Sequence, residues 1–285
     1  MLGLAALKDW YISRLNVKSA YLYGKLDEKI YMKQLEGFKI PGQENKILCL
    51  QCTLYGLKQA GLAWWWTLNE SIRELRFECL NSNARIFLFK WKGSQMIIAI
   101  IYVDNALFCG PNKAIVDEVK AHFMQKWECR DLGEACKFLH MHIHQNGYKI
   151  SINQYTYLNT VLQCCRMANA KSMPTPLPAG YYLMSNTELL NTVLQSRFQQ
   201  VIRSLLYLSL RIHLDIAYAV TALACQSTNP FEDHLNKVLY ICCYLIITQN
   251  YSLNYDGHSR LRIMACTDSD WGSDPTSPFS NWLLL

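Results

Sequence analysis

Residues 96–110 read MIIAIIYVDNALFCG. Eight apolar residues, 96–103, lead into Asp104 and Asn105, and apolar residues resume at 106–109. This pattern predicts two buried strands joined by a two-residue polar turn, which would hold a carboxylate at the tip of a rigid hairpin. Aspartate and asparagine also occur in ordinary hairpin turns, so the stretch alone does not assign a function.

Three further motifs precede this hairpin in a defined order. They read LNVKSAYL at residues 15–22, IYMKQLEGF at 30–38 and LYGLKQA at 54–60, and YVDN follows at 102–105. The series closely resembles the reverse transcriptase of copia-type retrotransposons, in which the corresponding segments read roughly LDVKTAFLNG, IYMEQPEGF, LYGLKQAPRAW and YVDD. Shorter matches extend the resemblance over nearly the whole chain, at residues 131–134, 204–208, 215–220 and 267–271.

The resemblance implies an α+β fold in four parts. Residues 1–168 are expected to form partial fingers and a palm, which is an antiparallel sheet backed by helices. A proline-containing linker at 169–195 leads to a helical thumb or connection region at 196–250, and 251–285 match the start of a ribonuclease H domain. Family members have more fingers sequence before this point and more ribonuclease H sequence after it, so both ends are expected to be truncated.

The spacing of apolar residues predicts the individual elements. Helices are predicted at residues 3–10, 54–76, 113–127, 154–165, 198–212, 215–226 and 232–248. Strands are predicted at residues 11–17, 86–91, 96–102, 138–144, 148–152, 252–255 and 261–267, with a hairpin or loop at 26–46. Asp215 is expected to cap the helix that it opens.

The resemblance assigns the catalytic and metal-binding role to Asp104. Asn16 and Asn105 stand where the family has two further metal-binding aspartates. Polymerases of this kind use Mg²⁺ held by carboxylates, and an asparagine keeps the size of aspartate without its charge. Two such replacements therefore predict that Mg²⁺, the family's cofactor, binds weakly or not at all here.

Nucleotide contacts are assigned by resemblance to Tyr21, Gln59 and Tyr102. Tyr21 matches the aromatic residue that packs under the sugar and excludes a 2′-hydroxyl, although an ordinary core aromatic residue would fit the same pattern. Asp268 matches the first aspartate of the ribonuclease H domain. That domain needs further acidic residues, so ribonuclease activity is not expected to be complete.

The charge distribution fits the implied partners, an RNA template and an RNA–DNA hybrid. All of the net charge of +6 falls in the first 92 residues, which hold 14 lysines and arginines against 8 acidic residues. Lysines that could follow template phosphates are Lys25, Lys29, Lys33, Lys39 and Lys46. An ordinary solvated hairpin explains them equally well. One of the three consecutive tryptophans at 64–66 is expected to be exposed, because all three cannot face one core.

Twelve cysteines are spread through apolar segments, and no secretory signal precedes them. This predicts reduced thiols in the cytosol or nucleus. The pair Cys49 and Cys52 lacks the second pair that a zinc ribbon requires. No apolar run approaches the roughly 20 residues of a membrane span, so no membrane association is expected.

A strand at 138–144 would place His140, His142 and His144 on one face, where three imidazoles could bind a transition metal. Solvent-facing histidines on an edge hairpin are the ordinary explanation. The sequence thus leaves three functional hypotheses. The first is a copia-type reverse transcriptase with an inactive polymerase site, the second is a non-catalytic nucleic-acid-binding protein derived from it, and the third is a metal-binding module.

Overall fold

The computed structural model describes residues 1–80, 83–91, 95–184, 186, 189–258, 267–268 and 283–284. The helices are α1 (Leu2–Lys8), α2 (Ala60–Glu74), α3 (Lys113–Lys126), α4 (Tyr155–Cys164), α5 (Thr192–Ser209), α6 (Ala217–Ala224) and α7 (Glu232–Thr248). The strands are β1 (Tyr11–Val17), β2 (Tyr31–Lys33), β3 (Ile47–Cys49), β4 (Glu78–Leu80), β5 (Asn83–Trp91), β6 (Gln95–Tyr102), β7 (Asn105–Gly110), β8 (Cys129–Glu134), β9 (Lys137–Phe138), β10 (Met141–Asn146), β11 (Lys149–Asn153), β12 (Ser252–Asp256), β13 (Thr267–Asp268) and β14 (Leu283–Leu284). The predicted α+β class is confirmed.

A six-stranded antiparallel sheet carries the predicted hairpin at its centre, with strand order β4-β5-β6-β7-β1-β8. The hairpin strands β6 and β7 pair Tyr102 with Asn105, and β1 pairs with β7 so that Asn16 lies opposite Asn105. The first motif and the hairpin motif, far apart in sequence, therefore meet on neighbouring strands.

The central strands of this sheet are buried on both faces, which explains their continuous apolar runs. On one face, Leu15 of β1 and Phe108 of β7 join a core with α2 and α3. On the other face, Ile12 and Leu107 pack with Ala5 and Ala6 of α1 and with the second sheet. The periodicity of α3 places Val116, Val119 and Phe123 towards the first core, at the spacing of one helix face.

The second sheet has four antiparallel strands in the order β12-β11-β10-β9. The predicted strand at 138–144 is interrupted, because Leu139 and His140 both have positive φ and form the turn between β9 and β10. Strand β12, which was predicted to open the ribonuclease H segment, pairs along its whole length with β11. Of the predicted strand at 261–267, only Thr267 lies among the described residues, where β13 pairs with β14.

Helices α4 to α7 pack around a third core. Apolar residues of α5 recur at one-face spacing, from Phe198 through Val201, Ile202 and Leu205 to Leu208. Helix α5 begins at Thr192, inside the predicted linker, because the Asn191 side chain accepts hydrogen bonds from two backbone N–H groups of the first turn. The same core receives buried residues of α6 and α7.

Besides the start of α5, the predicted start of α2 and the predicted helix cap at Asp215 are wrong. Helix α2 begins at Ala60 and not at 54, because Gly56 has a φ of 99° and residues 54–59 form turns. Asp215 is not a cap residue, because the N-cap of the 3-10 turn Leu214–Ile216 is His213 and the N-cap of α6 is Ile216. Its carboxylate accepts a hydrogen bond from the Tyr244 hydroxyl at 2.8 Å and lies 3.3 Å from His213 Nδ1.

No helix within the described ranges has both the length and the hydropathy that crossing a bilayer requires.

Candidate active site at the Val103-Asp104 turn

The hairpin turn consists of Val103 and Asp104, one residue earlier than the predicted Asp104-Asn105 turn. Asn105 is already the first residue of β7. Val103 has a φ of 57°, a left-handed conformation that a β-branched residue rarely adopts. Such strain of about 1–2 kcal/mol persists only where surrounding contacts impose it.

Two contacts impose this conformation. The indole Nε1 of Trp64 in α2 donates a hydrogen bond to the Val103 carbonyl at 2.8 Å. The backbone N–H of Val17 in β1 donates to the Asp104 carbonyl at 2.7 Å. A helix and a neighbouring strand therefore both hold the turn, which fixes the position of the Asp104 side chain.

The Asp104 carboxylate accepts a hydrogen bond on each of its oxygens from an asparagine side chain. Asn16 Nδ2 donates to Oδ2 at 2.7 Å, and Asn105 Nδ2 donates to Oδ1 at 2.9 Å. A carboxylate only accepts hydrogen bonds, so this contact dictates that each amide turns its NH₂ group towards Asp104. The three residues at which the resemblance expects aspartates are thus brought together, and two of them act as donors.

This set of donors does not fit a pair of Mg²⁺ ions. Mg²⁺ requires oxygen ligands, and a two-ion site requires several carboxylates to offset its charge. Here one carboxylate is present, and each of its oxygens accepts a hydrogen bond from an amide N–H group. Within the described part of the chain, no group of three or more His, Cys, Asp or Glu side chains could hold a metal ion.

Other acidic residues close in sequence have different partners. Glu28 accepts a hydrogen bond from Gln59 Nε2 at 3.0 Å. Asp131 is paired with the buried Lys120 at 2.7 Å. With these partners, neither Glu28 nor Asp131 replaces a carboxylate that is missing beside Asp104.

The predicted nucleotide-contacting residues lie on three separate elements. Tyr21 lies in a 3-10 turn at Ala20–Tyr23, is half-buried and packs on Tyr55 with ring centroids 4.8 Å apart. Gln59 immediately precedes α2, and Tyr102 is 40% exposed at the end of β6. The roles of these residues stay predictions. Asp268 is in β13, and its side chain lies outside the described residues.

The three histidines do not share a face. His140 lies in the turn before β10, where its ring contacts Tyr157 and Tyr207. His142 is hydrogen-bonded to the Thr156 hydroxyl at 2.8 Å, and His144 is exposed. The prediction that all three project together is wrong, because the strand breaks at His140.

Two contacts that position these elements were missed from the sequence. The hydrogen bond from Trp64 to the Val103 carbonyl joins residues 39 positions apart, so it becomes visible only in the tertiary structure. Lys120 is 2% exposed and donates to Ser13 at 2.6 Å and to Asp131 at 2.7 Å. Its place beside Val116 and Phe123 on the apolar face of α3 was a signal that could have identified a buried, paired lysine.

Residues 1–179 match the family model described as reverse transcriptase (RNA-dependent DNA polymerase). Over 282 residues the chain is 30% identical to a retrovirus-related Pol polyprotein from transposon TNT 1-94 of Nicotiana tabacum, covering 96% of this chain and 21% of that protein. It is 29% identical over 276 residues to the polyprotein from transposon RE1 of Arabidopsis thaliana, covering 96% and 18%. A transposon Ty5-1 protein of Saccharomyces cerevisiae is 28% identical over 269 residues, covering 93% and 86%.

The chain spans about a fifth of the length of the plant polyproteins that it matches. The family model covers more than half of the chain, and it includes all three residues of the Asp104 cluster. The chain therefore belongs to the reverse transcriptase family of copia-type retrotransposon Pol polyproteins.

Proposed function

We propose that this chain is a reverse transcriptase domain whose polymerase site is catalytically inactive. The observation that carries the proposal is the pair of amide hydrogen bonds to Asp104, at 2.7 Å from Asn16 and 2.9 Å from Asn105. Within this proposal, 1–168 correspond to partial fingers and palm, 169–195 to the linker, 196–250 to the thumb or connection region and 251–285 to the start of ribonuclease H. The family's function is RNA-directed DNA synthesis, and in this proposal the chain retains the domain without that activity.

The missing charges are large enough to abolish turnover. At a separation of about 4 Å and an effective dielectric of about 20, one unit charge pair contributes about 4 kcal/mol. A change of about 1.4 kcal/mol in a barrier is tenfold in rate, so losing two carboxylates slows synthesis by at least about five orders of magnitude. The amides at positions 16 and 105 offer no compensating negative charge.

Primer extension tests the inactive site directly. The purified chain is incubated with a DNA primer on an RNA template, deoxynucleotides and either Mg²⁺ or Mn²⁺. We expect no extension with either ion, and robust synthesis would overturn the proposal.

A double variant tests the cause. Asn16→Asp with Asn105→Asp restores the trio of carboxylates, and we expect extension above the wild-type level. Adding Asp104→Ala to the double variant is the matched control, and it should abolish that extension. Extension that survives Asp104→Ala would show that the cluster is not the polymerase site.

The second candidate is a nucleic-acid-binding protein without catalysis. The lysines of the segment around β2 and β3 are all exposed, and Trp66 of α2 is 59% exposed. Exposed lysines can neutralise phosphates, and an exposed indole can stack on a base. This arrangement supports binding to an RNA–DNA hybrid even without synthesis.

Binding is measured by fluorescence anisotropy with a labelled RNA–DNA hybrid. Phosphate contacts predict a loss of at least about tenfold in affinity between about 50 and 200 mM salt. Changing Lys29, Lys33 and Lys39 to Gln should weaken binding and flatten the salt dependence, while Lys171→Gln, in the proposed linker, should not. No binding at low salt would remove this second candidate.

A further inference from the structure

A cavity of about 490 Å³ lies where α4, α5 and α7 meet, and none of its lining residues belongs to the Asp104 cluster. Helices α4 and α5 each present one face to it, with residues three or four positions apart in the sequence. These residues are Tyr157, Thr160, Val161 and Cys164 of α4, and Arg197, Gln200, Val201 and Ser204 of α5. The volume lies within the range of small-molecule sites, so the cavity can hold a small organic ligand.

The wall of the cavity carries positive charge without a counterion. Arg166, which follows α4, and Arg197 of α5 both line it, and no aspartate or glutamate among the described residues does. Neither guanidinium forms an ion pair with a residue that the structure describes. Arginine stays protonated at any physiological pH, so the cavity favours an anionic ligand.

Arg166 is held in a conformation that arginine rarely adopts. Its φ of 58° is left-handed, its N–H donates to the Gln163 carbonyl at 2.9 Å, and the Met167 N–H donates to the Leu162 carbonyl at 2.8 Å. These two hydrogen bonds form a Schellman motif, in which glycine is the usual residue at the left-handed position. Glycine would therefore end α4 with less strain, whereas arginine adds a charge to the cavity wall.

The remainder of the wall is suited to an organic group. Val161 and Val201 are buried and Leu239 of α7 is half-buried, so the two valines and this leucine give the cavity an apolar side. The hydroxyls of Thr160 and Ser204 donate to carbonyls of their own helices, at 3.0 and 3.2 Å. The two arginines therefore supply the charged donors, and the aliphatic side chains supply the apolar contact.

We propose that this cavity binds a small organic phosphate monoester, with the phosphate on Arg166 and Arg197 and the organic group against Val161, Val201 and Leu239. The forked N–H donors of a guanidinium match phosphate oxygens, and the two charges of a monoester match two arginines. A nucleic-acid backbone carries one charge per phosphate and would lie along a surface, whereas these arginines line a cavity. The site is independent of the inactive polymerase site proposed above.

Isothermal titration calorimetry of the full chain at pH 8 tests the site, with phenyl phosphate as the probe. The phosphate is then a dianion, since its second pKa is about 6. We expect phenyl phosphate to bind more tightly than phenyl sulfate, which has one charge, and than inorganic phosphate, which lacks the ring. Arg166→Gln and Arg197→Gln should each weaken binding at least about tenfold, because each removes a charge-assisted hydrogen bond.

Arg203→Gln is the matched control, because Arg203 is an exposed arginine of α5 that does not line the cavity. It should leave the affinity unchanged. Arg166→Gly separates binding from folding: it relieves the left-handed strain, so it should weaken binding as much as Arg166→Gln without lowering the Tm.

Three results would overturn the proposal. The first is no binding of phenyl phosphate at millimolar concentration, and the second is an equal loss of affinity in Arg203→Gln and Arg197→Gln. The third is a single-stranded oligonucleotide without a terminal phosphate that binds through Arg166 and Arg197 more tightly than phenyl phosphate does, which would make this face a nucleic-acid contact.

Discussion

At the residue scale, the Asp104 cluster shows how one atom changes the chemistry of a site. Replacing a carboxylate oxygen by an amide nitrogen preserves size but turns an acceptor into a donor. Asn16 and Asn105 therefore satisfy Asp104, where aspartates at these positions would repel it. The sequence could predict which residues meet, through the ordered motifs, but the two hydrogen bonds depend on the register of β1 and β7.

The buried Lys120 makes a second prediction at this scale. Burial acts to raise the pKa of Asp131, but hydrogen bonds from Lys120 and the Gly133 N–H overcome it, so the pKa lies below the ordinary value of an aspartate. Asp131→Asn weakens the pairing of a buried charge, and we expect a loss of about 1–2 kcal/mol in unfolding free energy at pH 7. Urea denaturation measures it.

The sign of the pH dependence follows from the lowered pKa. A carboxyl group whose pKa is lowered by folding stabilises the fold at pH values above its pKa in the unfolded chain. This contribution is lost as the pH falls through its pKa in the folded protein. The difference between wild type and Asp131→Asn should therefore shrink below about pH 4. Asp256→Asn is the control, because its exposed pair with Lys149 contributes little. A difference that grows in acid would contradict the account.

At the element scale, the apolar runs predicted the hairpin strands well and the turn poorly. Local pattern places the turn at the two polar residues, whereas tertiary contacts from Trp64 and Val17 force Val103 into a left-handed conformation. His140 shows the same limit, because a positive φ breaks a strand that reads as continuous. The start of α2 at Ala60 depends on the turn around Gly56, and the start of α5 at Thr192 depends on the cap formed by Asn191. Helix propensity does not predict either feature.

Trp64 offers a test of how the turn is held. Trp64→Phe removes the hydrogen bond to the Val103 carbonyl and trims an indole that packs edge-on against Trp127 at 5.1 Å. We expect a loss of about 1.5–3 kcal/mol in unfolding free energy. Trp66→Phe makes the same chemical change on the exposed face of the helix and should stay within about 0.5 kcal/mol. Equal effects would show that Trp64 does not secure the turn.

At the scale of the whole molecule, residues distant in sequence close the second sheet. Strand β12 pairs with β11, and the Gly257 N–H donates to the Tyr148 carbonyl at 2.8 Å. A Cβ at Gly257 would overlap the Ala6 carbonyl and lie 2.9 Å from the Leu7 Cα. The resemblance placed this segment after the thumb, but sequence alone could not show that it returns to α1.

Gly257→Ala tests this closure. The added methyl group meets backbone that cannot rotate away, so we expect a loss of about 2–4 kcal/mol in unfolding free energy. Gly61→Ala in α2 is the matched control: its nearest neighbour would be the Tyr21 hydroxyl at 3.9 Å, and alanine favours the helix by up to about 1 kcal/mol. Thermal denaturation measures both variants, and an unchanged Tm for Gly257→Ala would contradict the close packing of α1 and Gly257.

The most direct test of the central claim is the Mg²⁺ dependence of thermal stability in wild type and in Asn16→Asp with Asn105→Asp. Without divalent ions, the double variant replaces two hydrogen bonds by charge repulsion and should be about 2–4 kcal/mol less stable than wild type. Mg²⁺ at about 100 times its Kd should raise the Tm of the variant by about 3–6 °C and leave wild type unchanged, relative to NaCl of equal ionic strength. The central claim is that Asn16 and Asn105, in place of two carboxylates, leave Asp104 unable to bind Mg²⁺. A wild-type Tm that rises with Mg²⁺ as much as that of the variant would contradict it.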